Sequence, residues 1–142
     1  MLEISTLVKS YKLEPFGIAY IGANEGQELD EILEIFKGVK VYLFEPQKEP
    51  FNKLVKKYNK KSNLFFYNFG LSSSEQTIEI YTNINNNSMS SSILTPKDHL
   101  IYHPGVLFQG KEDIKVKRYI DLNIKDVNFL KIDVQGYELE VL

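Results

Sequence analysis

Cysteine and tryptophan are missing from this chain, and histidine and methionine occur only twice each. Without cysteine there is no disulfide, no thiolate nucleophile and no cysteine-based zinc site. His99 and His103 have the spacing of metal-binding histidines on one helix face. No third ligand pattern accompanies them and Pro104 follows directly, so a metal site is not expected. Excess charge of one sign is also missing. Seventeen Lys and Arg stand against 19 Asp and Glu, a formal net charge of −2, which gives no electrostatic footprint for nucleic acid. No stretch approaches the roughly 18–20 apolar residues of a membrane helix. The N-terminal Met1-Leu2-Glu3-Ile4 carries an early acid and no basic segment before an apolar core. A signal peptide is therefore not expected, and a cytoplasmic location is.

What is present is ordinary for a soluble globular protein: 142 residues, 43% hydrophobic and 25% charged. That length predicts a single domain over 1–142 with a real core. Leu2, Ile4, Leu7, Val8 and Tyr11 predict a short helix ending before Pro15. Gly17 to Ile21 reads as a buried strand. Leu29, Ile32, Leu33 and Phe36 give an amphipathic helix stopped near Gly38. Val39 to Phe44 reads as a second strand. Phe51, Leu54, Val55 and Tyr58 repeat the helical spacing, with Pro50 in the first turn. Leu64 to Phe69 reads as a third strand. This alternation predicts an α/β fold, a mostly parallel sheet with helices on its faces. Thr77 to Thr82 and Ile114 to Ile120 look extended. The polar run 83–92 reads as a loop, and residues 93–113 show no clear period. Val127 to Val134 is nearly all apolar, as in a central parallel strand covered on both faces. The lysines around the second predicted helix (Lys48, Lys53, Lys56, Lys57, Lys60 and Lys61) read as a solvated face.

Two segments carry chemistry. Gly22-Ala23-Asn24-Glu25-Gly26 is a turn between the first strand and the first crossover helix. Its glycines allow close backbone approach to a ligand, and such turns aim N–H groups at negative charge. Glu45 ends the next strand about 20 residues on, the spacing of an acid that holds a ribose diol. A tight turn with no ligand and an exposed strand-end glutamate is the plain alternative. In the second segment, Asp133 stands at the end of the most apolar strand. Open α/β sheets bind ligands outside these strand ends, and a carboxylate there can accept a hydroxyl proton. An Asp that caps the following helix is the plain alternative, and it is compatible with a functional role. Lys131, two residues earlier, shares its face in a regular strand and calls for a specific partner or a route to the rim.

Taken in order, Gly22-Ala23-Asn24-Glu25-Gly26, Phe44-Glu45-Pro46, Asn68-Phe69-Gly70-Leu71-Ser72, Ser91-Ser92-Ile93-Leu94 and Leu130-Lys131-Ile132-Asp133-Val134-Gln135-Gly136-Tyr137-Glu138 resemble the FkbM-type methyltransferases. The resemblance covers most of the chain from residue 18 onward, and its last motif is the most specific. It implies a Rossmann-like fold, S-adenosylmethionine as cofactor, and methylation of a hydroxyl on a carbohydrate or other small molecule. By resemblance, Gly22, Ala23, Asn24 and Gly26 would line the methionine part. Glu45 would hold the ribose, with Pro46, Asn68, Phe69 and Gly70 beside the adenine. Ser91 and Ser92 would close over the site, and Asp133, with Lys131 near it, would face the transferred methyl group. Residues 137–142 would begin a helix.

Two features depart from the family. Tyr20 stands where the family commonly has an acid, which would weaken the hold on the cofactor's ammonium group; Glu25 and Glu28 are the nearby acids. The fold also normally continues with further strands after the helix that follows Asp133. A fragment, a truncated product or an oligomer covering an open sheet edge is therefore expected. A nicotinamide-dependent oxidoreductase is the rival enzyme class, disfavoured because G-x-G-x-x-G is absent: position 24 is Asn. A non-catalytic remnant or interaction module is the third expectation.

Overall fold

The computed structural model describes residues 4–82 and 110–134. The crossover pattern forms as the periodicity predicts: α1 (Ile4–Tyr11), β1 (Gly17–Ile21), α2 (Leu29–Ile35), β2 (Lys40–Phe44), α3 (Lys48–Tyr58) and β3 (Leu64–Tyr67). A short β4 (Gly70–Leu71), β5 (Gln76–Thr82), β6 (Gly110–Lys117), one 3-10 turn (Tyr119–Leu122) and β7 (Phe129–Ile132) complete the described elements. The main sheet is fully parallel, in the order β3-β2-β1-β7. A second sheet has the order β4-β6-β5, with β5 and β6 antiparallel and β4 parallel to β6. The chain is an α/β protein with a Rossmann-like, mostly parallel sheet.

All five residues of β1 are buried, as are Val41 to Phe44 of β2. Alternation divides them between two faces. Ile18, Tyr20, Val41, Leu43 and Leu64 pack beneath Ile4 of α1, Leu29 and Ile32 of α2, and Leu54 and Tyr58 of α3. Each fully buried large aliphatic there contributes about 1.5–3 kcal/mol by leaving water. Ala19, Ile21, Tyr42 and Phe44 face the other way, towards Phe69, Leu71, Tyr119, Leu122, Ile124 and Val127. All three described helices thus cover one face, where helices on both were expected. The chain steps in one direction from β1 to β2 to β3, and right-handed crossovers then place successive helices on the same side.

Several boundaries differ from expectation. The third strand ends at Tyr67, because Asn68 turns its amide to the carbonyls of Glu45 and Pro46 at 2.9 and 3.3 Å. The extended segment predicted for 114–120 begins at Gly110 and ends at Lys117, before the 3-10 turn. β7 spans only Phe129–Ile132 and has no fully buried residue; among the described residues it is an edge strand, not a covered central one. The 83–92 loop, Ser91, Ser92, His99, His103 and the helix expected from Tyr137 lie outside the described residues. Among the described residues, no helix is long and apolar enough to cross a membrane.

Candidate functional site

Strand order reverses beside β1: β2 and β3 lie to one side, β7 to the other. The crevice outside the carboxyl ends of β1 and β7 is therefore the topological switch point, where open α/β sheets bind their ligands. The Gly22–Gly26 turn leaves β1 at this place and Asp133 leaves β7. Asp133 donates its N–H to the Ile21 carbonyl at 2.9 Å, which extends the pairing one residue past β7.

The glycines of the turn have internal reasons to be glycine. Gly22 has φ +80, and a Cβ there would lie 2.0 Å from the Asp133 carbonyl oxygen. Gly26 has φ +81, and its Cβ would lie 2.8 Å from Leu54 Cδ1. Both spaces are filled by the chain's own atoms. The turn's donors are largely engaged as well. Gly22 and Ala23 donate to the Phe44 carbonyl at 2.9 and 3.0 Å, and Gly26 donates to Ala23 at 2.9 Å. The sequence-based picture of N–H groups aimed at an anion is thus replaced by a turn tied to the end of β2. Asn24, with φ +53, holds a buried side-chain oxygen, Oδ1, that has no hydrogen-bond partner among the described residues.

Glu45 connects the turn to α3. Its Oε2 accepts the Asn24 N–H at 2.7 Å and its Oε1 accepts the Gln47 N–H at 2.9 Å. Glu45 is only 5% exposed. Burial pushes its carboxyl up to about 7, against the pull of the Gln47 and Asn24 N–H groups and with added repulsion from Glu112. Glu112, on β6, accepts the Lys48 N–H at 2.9 Å. Two carboxylates thus satisfy N–H groups where α3 begins, where its dipole favours negative charge.

Asn68, Phe69 and Gly70 follow beside Glu45. The Phe69 ring lies 5.9 Å from the Phe44 ring, and Lys117 Nζ stands 4.7 Å from the Phe69 centroid. Gly70 packs against Pro46, whose Cγ a Cβ would meet at 3.5 Å. An open cleft of ≈ 720 Å³ begins at Pro46 and Asn68 and runs between α3 and β6, past Lys53, Glu112 and Lys115.

The structure therefore joins the sequence-predicted residues in two groups: Gly22 with Asp133, and Asn24 with Glu45, Pro46, Asn68 and Gly70. The turn itself links the groups. Ala23 is fully buried within it. Lys131 has a specific partner, Glu28 Oε2, at 2.8 Å, and its Nζ lies 5.0 Å from the centroid of the Tyr20 ring. Tyr20 is 3% exposed. Burial, then the Glu28 and Asp133 carboxylates, raise its phenol far above the ordinary tyrosine range, so it stays neutral. Gln47 and Glu112 are neighbours of the candidate site that sequence reasoning missed. Gln47 acts through its backbone, and Glu112 arrives from a distant strand with no local signal.

Among the described residues, no group of three or more His, Cys, Asp or Glu could hold a metal ion. Comparison with known proteins gives one family: residues 21–142 match the methyltransferase FkbM domain. No curated protein matches the chain.

Proposed function

We propose that this chain, which belongs to the FkbM methyltransferase family, binds S-adenosylmethionine at the β1–β7 switch point and methylates a hydroxyl of a carbohydrate or other small molecule. The observation that carries this is the continuity from Asp133 through the Gly22–Gly26 turn to the buried Glu45, all at the carboxyl ends of parallel strands. The site's chemistry fits the donor. Asn24 Oδ1 is a buried acceptor that no donor among the described residues satisfies. Each Glu45 oxygen accepts one N–H and keeps a second lone pair for a ribose hydroxyl.

The bound donor supplies an already activated methyl group on a sulfonium. The protein's task is then alignment and proton handling. Glu45 fixes the ribose end and, through Asn24, the turn. Pro46, Asn68 and Phe69 offer the adenine an apolar face and an amide beside it. Asp133 would accept the proton of the acceptor hydroxyl on its carboxylate, balancing a transfer in which the oxygen–methyl bond replaces the sulfonium–methyl bond and the donor leaves as a neutral thioether. Calorimetric titration with S-adenosylhomocysteine tests the cofactor half of the proposal. Methyl transfer to a panel of simple sugars tests the acceptor class; transfer to none of them would remove the carbohydrate assignment.

A further inference from the structure

Glu28 stands just ahead of α2, and its carboxylate meets Lys131 of β7 across the end of β1. Tyr20 and Lys131 are register partners on adjacent strands, and the lysine end of the pair lies over the Tyr20 ring. The Lys131 side chain is 12% exposed and that of Glu28 is 28% exposed, so the pair is largely shielded from bulk water without being sealed from it. Glu25 is differently engaged: Lys53 of α3 holds it at 2.9 Å and also meets Glu49 at 3.3 Å.

We propose that Glu28 and Lys131 together receive the zwitterionic amino-acid end of the methyl donor, Glu28 taking its ammonium and Lys131 its carboxylate. Glu28 thereby supplies the negative charge that Tyr20 does not provide. This rests on the methyl-donor assignment above. A shielded ion pair is costly to break if one charge is left alone. A zwitterion avoids that cost, because one pair is exchanged for two and the net charge of the site is unchanged. Tyr20 contributes its ring face to the cation and a neutral hydroxyl to the floor of the site.

The test is calorimetry on the full chain, comparing wild type, Glu28→Gln, Lys131→Gln and the double variant. The probes are S-adenosylhomocysteine, 5′-methylthioadenosine, which has no amino-acid end, and decarboxylated S-adenosylmethionine, which keeps only the ammonium. Wild type should prefer S-adenosylhomocysteine over 5′-methylthioadenosine by about ten- to a hundredfold, as expected for hydrogen bonds to charged groups. Glu28→Gln should erase most of that preference while leaving 5′-methylthioadenosine binding unchanged. Lys131→Gln should make the decarboxylated donor bind as well as one bearing the carboxylate. The double variant leaves no lone charge behind; circular dichroism establishes that it folds, and its preference should be lost too. An unchanged preference in Glu28→Gln, or equal weakening of all probes, overturns the inference and leaves the donor assignment standing. Wild type that binds none of the three probes overturns both.

Discussion

Glu45 Oε2 accepts the backbone N–H of Asn24 at 2.7 Å, so a buried carboxylate on β2 sets the conformation of the turn that follows β1. Its other oxygen holds Gln47 at 2.9 Å. The Gly22–Gly26 turn and the start of α3 are therefore not independent. Loss of this one side chain releases both.

Glu45→Ala should weaken binding of S-adenosylhomocysteine by about 2 kcal/mol, the scale of hydrogen bonds to a charged group. Part of that loss comes from ribose contacts and part from the released turn. Calorimetry on the folded variant measures it, and unchanged affinity would remove Glu45 from the site.

The same carboxyl makes stability depend on pH. Its ordinary value is 4.5 and the fold raises it to about 7. Between these values the folded chain keeps a proton that the unfolded chain has lost. The contribution of this group therefore favours folding below about 4.5, declines as pH rises and levels off above about 7. Cofactor binding should run in the opposite sense, because the ionised form offers more acceptors to a diol. Urea melts from pH 4 to 8 on wild type and Glu45→Gln should differ by this slope. Parallel slopes would show that burial does not control the group.

Gly22→Ala should destabilise the fold by more than the roughly 1–2 kcal/mol that left-handed backbone costs an L-residue. Its Cβ would strike the Asp133 carbonyl oxygen at 2.0 Å, and backbone on both sides leaves no easy relief. Gly38→Ala is the matched control. It has φ +79 but meets nothing within 4 Å, so it should show the backbone cost alone. Equal losses in denaturant melts would mean that the β7 end gives way freely.

Asp133→Asn should leave cofactor affinity within about twofold of wild type and lower turnover by a factor on the order of 10² or more, the usual worth of a positioned base. Single-turnover methyl transfer separates the two effects. Full turnover in the variant would leave Asp133 with only its backbone role beside Gly22.

The sequence made the parallel core legible because its signals are local. Strand β1 was read with its observed boundaries, and α2 starts at the first residue of its apolar period. The same signal failed at Phe69, where the apolar run continues but Asn68 draws the chain out of the sheet. It failed again over 110–113, where Lys111 and Asp113 face solvent and burial begins only at Ile114 and Val116. The site was legible as residue types at strand ends. Its connections were not. That Glu28 meets Lys131 depends on β7 joining β1 across a long separation in the chain, and that Glu112 reaches α3 depends on how β6 packs beside it.

Binding of a methyl donor through the Glu45-anchored turn is checked by titrating S-adenosylhomocysteine into wild type and Glu45→Ala at pH 8. Saturable one-to-one binding by wild type and marked weakening in the variant are expected. A folded wild-type protein that takes up no ligand, or a variant that binds as tightly as wild type, would contradict it.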